Sequence, residues 1–229
     1  MDAQASRLQP IDTSTLHEKA YLHLRSALMA GLFRPGESVT LRGVASAMGT
    51  SVMPVREAVR RLVSERALEM PSSRSIRVPL MSEAHFDELC ACRTLLEGEA
   101  ASLAAQRATA ELIAQLQALD AQFREAAERG DTATMLTVNQ SFHFAIYQAS
   151  GSSLLFSMIE MLWLQSGPYL NLIMGDEGAR LPVRKTIGPH HKKVIAALVR
   201  HDGGAAKAAL VADIEEAAKR YRSKIRQLA

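Results

Sequence analysis

Residues 41–63, LRGVASAMGTSVMPVREAVRRLV, carry the pattern that organises the rest of the chain. Leu41, Val44, Ala45 and Met48 fall at i, i+3, i+4 and i+7, the apolar face of one short helix. Gly49 can take the left-handed backbone of a C-terminal cap and so ends it. Ser51 is a natural N-cap for a second helix, and Pro54 lies early enough to sit in a first turn. Val55, Val59, Leu62 and Val63 form the inner stripe of that helix, leaving Val52, Met53, Arg56 and Arg60 on the other side. A helix, a turn of about three residues and an arginine-bearing second helix form a helix-turn-helix, whose second helix enters the major groove of DNA.

A plain helical hairpin with solvated arginines would show the same periodicity, so the next residues matter. Residues 66–80, RALEMPSSRSIRVPL, hold two short segments, Leu68–Pro71 and Ser75–Pro79, around a Ser72-Ser73-Arg74 tip. That spacing predicts a small β-hairpin wing. The run 31–69, GLFRPGESVTLRGVASAMGTSVMPVREAVRRLVSERALE, resembles the GntR family of bacterial transcription regulators: the PG pair after a first helix, the small-residue helix and PVREAVRRL match its winged helix-turn-helix. The resemblance implies binding to double-stranded DNA at an inverted-repeat operator by a homodimer. The family's recognition helix commonly begins Ser-Arg-Thr-Pro, whereas here it reads Ser51-Val52-Met53-Pro54, so the operator should differ from the familiar ones. Arg42, Ser51, Val52, Met53, Arg56, Arg60, Ser73 and Arg74 are the candidate contacts. An arginine on guanine is the commonest specific pairing, and each is worth about 1–3 kcal/mol of discrimination.

Charge distribution agrees with this placement. The 229 residues carry a net charge of +3, but residues 1–80 hold 11 Lys and Arg against 7 Asp and Glu, while residues 81–229 hold 16 against 17. The basic excess therefore lies with the helix-turn-helix, where phosphates would need it. That excess is too small for a protein that packages nucleic acid. There is no apolar run long enough to span a membrane, and the polar start MDAQASRLQPID is no signal peptide, so a cytoplasmic protein is expected. Cys90 and Cys92 are two apart in a helical pattern and point to different sides, which predicts two buried reduced thiols.

The chain divides into a flexible leader (1–12), a DNA-binding domain (13–80) and a helical domain (82–229). The first helix is expected over 14–30 with Leu16, Ala20, Leu24, Ala27 and Leu28 inward. Beyond the linker at 79–82, helices are expected at about 83–107, 110–129, 132–149, 152–166, 168–175, 181–201 and 204–227. Ser82 and Thr109 as caps, Gly130-Asp131, Gly151-Ser152, Gly167-Pro168, the GDEG loop at 175–178 and Asp202-Gly203-Gly204 mark the breaks. The fold class is mainly α: a winged helix-turn-helix followed by an antiparallel helical bundle.

Polar residues lying on apolar stripes of such a bundle are the informative ones. Arg93 lies on the stripe of Phe86, Leu89, Leu96, Ala100 and Leu103; Asn139 and His143 are i, i+4 partners among Met135, Phe142 and Ile146; His191 belongs with Val194, Ile195 and Leu198; Asp213 lies between Leu210 and Ala217. An i, i+4 pair sits about 6 Å apart on one helix face, close enough to share an ion. With two ligands from other helices it would complete a site for a divalent transition metal, zinc or nickel above all. Each residue could instead be satisfied by its own hydrogen bond. His190, rotated off the stripe, ranks behind His191.

Residues 86–222 resemble the FCD ligand-binding domain of one GntR subgroup, on Arg93 with Glu97, the NQSFH run at 139–143 and HKKVIAAL at 191–198. The resemblance implies a metal held by an Asp or Asn, a His four residues on and two later histidines, and a small carboxylate effector held with its help. Asn139, His143 and His191 match; Asp213 stands where the third histidine is expected. Arg93 would be the partner of the effector carboxylate, with Glu97 or Glu160 as the internal alternative, and Trp163, Tyr169 and Asn171 could line the same cavity, the core or a dimer surface. The expected protein is a dimeric, ligand-responsive transcription regulator and not an enzyme. The rival is a metal-dependent enzyme acting on a small carboxylate while tethered to DNA, which would need an arranged acid–base pair that these residues do not display.

Overall fold

The computed structural model describes residues 14–174 and 180–228; the leader and the GDEG loop fall outside them. Helix α1 (Ser14–Met29) leads through Gly31 to strand β1 (Ser38–Thr40), helices α2 (Leu41–Ala47) and α3 (Val52–Ser64), and strands β2 (Glu69–Ser72) and β3 (Ser75–Arg77). The wing has three strands in the order β1-β3-β2, all antiparallel, with Val39 opposite Ile76. Only the hairpin was legible in the sequence, because three residues after a Pro-Gly turn are too few to show a period of two. β1 closes the sheet on α2: Thr40 caps that helix at the N–H of Gly43, and the N–H of Leu41 donates to the Arg74 carbonyl at 2.9 Å.

The helix-turn-helix folds as its periodicity predicts. Leu41, Val44, Ala45, Val55, Val59 and Leu62 are buried together with Leu24 and Leu28 of α1. Gly49 takes φ +63° and ends α2. Ser51 does occupy the N-cap of α3, but its hydroxyl makes no capping bond. Leu16 departs from the expected inner face of α1 and is 60% exposed; Tyr21 is buried instead and donates to Glu65.

Among the described residues six helices follow: α4 (Glu83–Gln106), α5 (Ala110–Arg129), α6 (Thr132–Ala149), α7 (Ser153–Met174), α8 (Arg180–Val199) and α9 (Gly203–Leu228). Their starts are chemical. Ser82, Thr109, Asp131 and Asp202 each accept a bond from an N–H in the first turn, and Gly130 ends α5 at φ +68°. Cys90 is buried as expected but Cys92 is exposed.

The expected break at Gly167-Pro168 does not occur; α7 runs straight through it. The glycine before the proline has no Cβ to meet the pyrrolidine ring, which relieves part of the clash that usually ends a helix there. Gly167 has a second reason to be small. A Cβ there would meet the Leu28 and Met29 carbonyl oxygens at 2.4 and 2.6 Å, so the end of α1 lies directly on the backbone of α7. Around this crossing Asn171 donates to the Gly31 carbonyl at 2.8 Å, and Arg25 pairs with Glu160 at 3.1 Å. The DNA-reading unit is thus clamped to the bundle through one helix. Gly167→Ala should lower stability by about 1–3 kcal/mol, since the atoms it meets are backbone and cannot rotate away. Chemical denaturation should show that loss, whereas Gly98→Ala, whose Cβ would meet side-chain atoms alone, Val211 Cγ2 at 3.0 Å and Lys207 Cγ at 3.2 Å, should lose less.

Candidate effector site and DNA-reading surface

The bundle interior holds a continuous polar chain. Arg93 and Glu97 are one helical turn apart on α4, and Arg93 donates through Nε to Glu97 Oε1 at 2.6 Å and through Nη2 to Oε2 at 3.4 Å. Glu97 is 0% exposed. Burial alone would lower the Arg93 pKa, but the Glu97 carboxylate outweighs it and holds the guanidinium above its ordinary value. Tyr147, two turns from Asn139 on α6, donates its hydroxyl proton to Glu97 Oε2. The same hydroxyl oxygen of Tyr147 lies 3.1 Å from Nδ1 of His143. His143 Nε2 in turn lies 3.2 Å from Asp213 Oδ2 on α9.

His191 of α8 completes the cluster. One ligating atom from each of His143, His191 and Asp213 lies within 4.8 Å of the other two, and all three residues are buried. The ring of His191 stacks on Phe142 at 4.0 Å and meets the edge of Phe123 at 5.2 Å. Neither of its ring nitrogens makes a hydrogen bond among the described residues, an arrangement that costs about 1–3 kcal/mol per buried group if left unmet. Burial would raise the Asp213 pKa, but the hydrogen bond and charge of His143, helped by His191, bring it below the usual carboxylate value.

The expected residues separate into two places. Arg93, Asn139, His143, Trp163 and Asp213 line one small cavity of about 20 Å³, closed by Leu170, Met174, Ile214 and Ala217. Trp163 lies under Arg93, its ring centre 5.1 Å from the guanidinium carbon. Tyr169 faces elsewhere: it packs with Phe86 and Tyr221, donates to the Pro79 carbonyl at 2.9 Å and accepts from the Met81 N–H at 2.7 Å. Burial pushes its hydroxyl up to about 12. It latches the linker between the two halves. Asn171 holds Gly31, and Glu160 is taken by Arg25, so Glu97 is the internal partner of Arg93.

Two residues of the cluster escaped the sequence reading. Tyr147 stands at i+4 from His143, one more step along the same face. Asp120 lies on the buried stripe of Leu116, Phe123 and Ala127 in α5 and is itself buried. Its Oδ1 lies 3.5 Å from His191 Nδ1, and Arg124 holds its Oδ2 at 3.1 Å.

On the opposite end, α3 presents Met53, Arg56 and Arg60 outward. Arg56 donates to the Ser73 carbonyl at 3.0 Å and ties the wing tip to the recognition helix. Arg60 pairs with Glu57 on the surface. Arg42, Ser51 and Arg74 are exposed, while Val52 is half-buried against the core.

This architecture, a winged helix-turn-helix clamped to a helical bundle with a polar heart, defines a class of bacterial DNA-binding regulator. Residues 16–78 match the model of bacterial regulatory proteins of the gntR family, and residues 88–216 match the FCD domain. The chain belongs to the GntR family of transcription regulators, in the group that carries an FCD domain. It is 36% identical to the HTH-type transcriptional regulator McbR of Escherichia coli K12 over 150 residues, covering 66% of this chain and 68% of that one. It is 27% identical to the HTH-type transcriptional repressor GlaR of the same organism over 192 residues, covering 80% and 84%. The solved structure of E. coli McbR/YncC superposes with a TM-score of 0.85 at 29% identity, over 92% of this chain and 99% of that one. The domains and relatives are transcription regulators, and so is this protein; it is not an enzyme.

Arg93→Met leaves the fully buried Glu97 facing a thioether, and stability should fall by about 3–5 kcal/mol. The double change Arg93→Met with Glu97→Met should recover most of that loss. A double-mutant cycle by urea denaturation measures the coupling, and additive losses would mean that the two side chains do not interact.

Proposed function

We propose that the chain is a homodimeric repressor of its own operator type, with a DNA-binding domain at 13–80 and a sensing domain at 82–229, working in the cytoplasm where its DNA lies. Its operator affinity is set by a small organic acid bound in the bundle with the help of a divalent transition metal, zinc or nickel. The observation that carries this reading is the buried imidazole of His191, its Nε2 without a hydrogen bond among the described residues, beside His143 and Asp213. The residues fit a metal. Two imidazoles and one carboxylate converge, with Asn139 on the same wall, and that mixed nitrogen–oxygen set suits a borderline divalent ion. One carboxylate cannot neutralise such an ion, so the site would keep positive charge for an anion. Bound there, the metal would supply a Lewis-acidic anchor for the effector carboxylate.

Arg93 already has Glu97, so it would contribute to effector binding as the cationic edge of a shared network rather than as a free clamp. A cavity of about 20 Å³ has room for an ion or about one water. An organic acid must therefore push back the wall that Trp163, Leu170 and Met174 provide. All three belong to α7, the helix that carries Glu160, Gly167, Tyr169 and Asn171 against α1 and the linker. Displacement of that wall would move the clamp and reposition the recognition helices. Thermodynamic linkage then requires DNA to weaken or strengthen effector binding by the same factor. The repressive sense follows the printed name of GlaR. For the dimer, Leu95, Leu154, Met158 and Met161 leave apolar side chains exposed on the outer faces of α4 and α7.

After reconstitution with zinc or nickel and removal of excess ion, elemental analysis should find about one ion per wild-type chain and little in His143→Ala or Asp213→Ala. Wild-type protein that takes up no ion overturns the metal reading. Titration of duplex DNA should end at two chains per site, and at one for Met161→Lys if the α4–α7 face joins the dimer. In the same titration Arg42→Ala should flatten the dependence of log affinity on log salt by about 0.9 for each phosphate that Arg42 neutralises.

A further inference from the structure

We propose that two carboxylates outside the ligand cluster set the ring orientation of its histidines: Glu97, acting through Tyr147, fixes His143, and Asp120 fixes His191. Both rings then carry their proton on Nδ1 and turn Nε2 inward toward Asp213. This rests on the metal reading above and assigns positioning residues to that site.

The His143 arm follows from counting protons. The Tyr147 hydroxyl has one proton, and it goes to Glu97 Oε2. Its oxygen is then an acceptor toward His143 Nδ1 at 3.1 Å, and Nδ1 must be the donor. Turning the phenol proton to His143 instead would leave Glu97 Oε2 with the 3.4 Å contact from Arg93 as its remaining donor at a fully buried position. With Nδ1 held by the tyrosine oxygen, Nε2 is the ring atom that faces Asp213 Oδ2, 3.2 Å away, and an ion shared between the two would replace the proton that otherwise joins them.

The His191 arm is direct. Asp120 Oδ1 and His191 Nδ1 face each other at 3.5 Å, and among the described residues neither makes a hydrogen bond to anything else. A small rotation of the ring between Phe142 and Phe123 closes that gap. Arg124 on Oδ2 keeps the carboxylate in place. Nδ1 thereby belongs to Asp120, and Nε2 is the nitrogen left for an ion. A carboxylate on the far nitrogen of a ligating histidine both fixes its tautomer and raises its basicity, and losing one typically costs about 10–100-fold in metal affinity.

The test uses the full chain labelled with ¹⁵N-histidine, and cobalt(II) as the probe ion. In the metal-free protein, long-range ¹H–¹⁵N correlation should show a proton on Nδ1 of both rings. Tyr147→Phe should change the pattern of His143 alone, and Asp120→Leu that of His191 alone. Each variant should bind cobalt about 10–100-fold more weakly in chelator competition with an altered visible d–d spectrum, and Asp120→Glu should restore the affinity that Asp120→Leu loses. A bare Nδ1 on either ring of the wild type overturns the proposal. So do variants with unchanged tautomers and cobalt affinity, and these leave the metal site standing. Wild-type rings with Nδ1–H but no cobalt uptake sink the metal site itself, and with it the role given to Glu97, Tyr147 and Asp120.

Discussion

The ion pair of Arg93 with Glu97 is the interaction on which the interior depends. A carboxylate at 0% exposure persists only if its lone pairs are met, and Glu97 is met by Arg93 on its own helix and by Tyr147 from α6. Tyr147 then reaches His143, and His143 reaches Asp213 on α9. One buried charge pair on α4 thus recruits polar groups from two further helices, and His191 and Asp120 bring in two more. Apolar residues of similar size could fill the same space at little cost in stability. The polar chain therefore contributes little to cohesion that an apolar core would not.

A second constraint is the close approach of α1 to α7. Burial of the first helix against the bundle requires a residue without a side chain at Gly167, where the Leu28 and Met29 carbonyls come within reach of a would-be Cβ. That approach turns α7 into a shared wall. Trp163 and Leu170 face the polar cavity, Asn171 and Glu160 hold the DNA-reading unit, and Tyr169 holds the linker. Packed helices shift between discrete arrangements more readily than they deform, so a ligand that displaces this wall has a mechanical route to the recognition helix.

The sequence by itself determined what depends on neighbours a turn or two apart. The stripe of Val55, Val59 and Leu62, the glycine caps, the wing hairpin and the starts at Ser82 and Thr109 are local matters of periodicity and hydrogen bonding, and they stand as expected. Polar residues on apolar stripes singled out Arg93, Asn139, His143, His191 and Asp213, and these are buried. The same rule reached Asp120 and Tyr147 in principle, since each continues a buried face. Without knowledge of which helices touch, though, nothing marked them as belonging to the cluster.

Tertiary structure alone decided the pairings between distant segments. Tyr147 meets Glu97 across 50 residues and Asn171 meets Gly31 across 140, separations at which no spacing rule operates. The same holds for β1, which is a strand because β3 lies beside it, and for α7, which continues through Pro168 where α1 packs on Gly167. Arg93 faces Glu97, its i, i+4 neighbour, whereas Glu160 pairs across 135 residues with Arg25 of α1. Local sequence fixes what each helix offers, and which offer is taken depends on the packing that brings two faces within hydrogen-bonding reach.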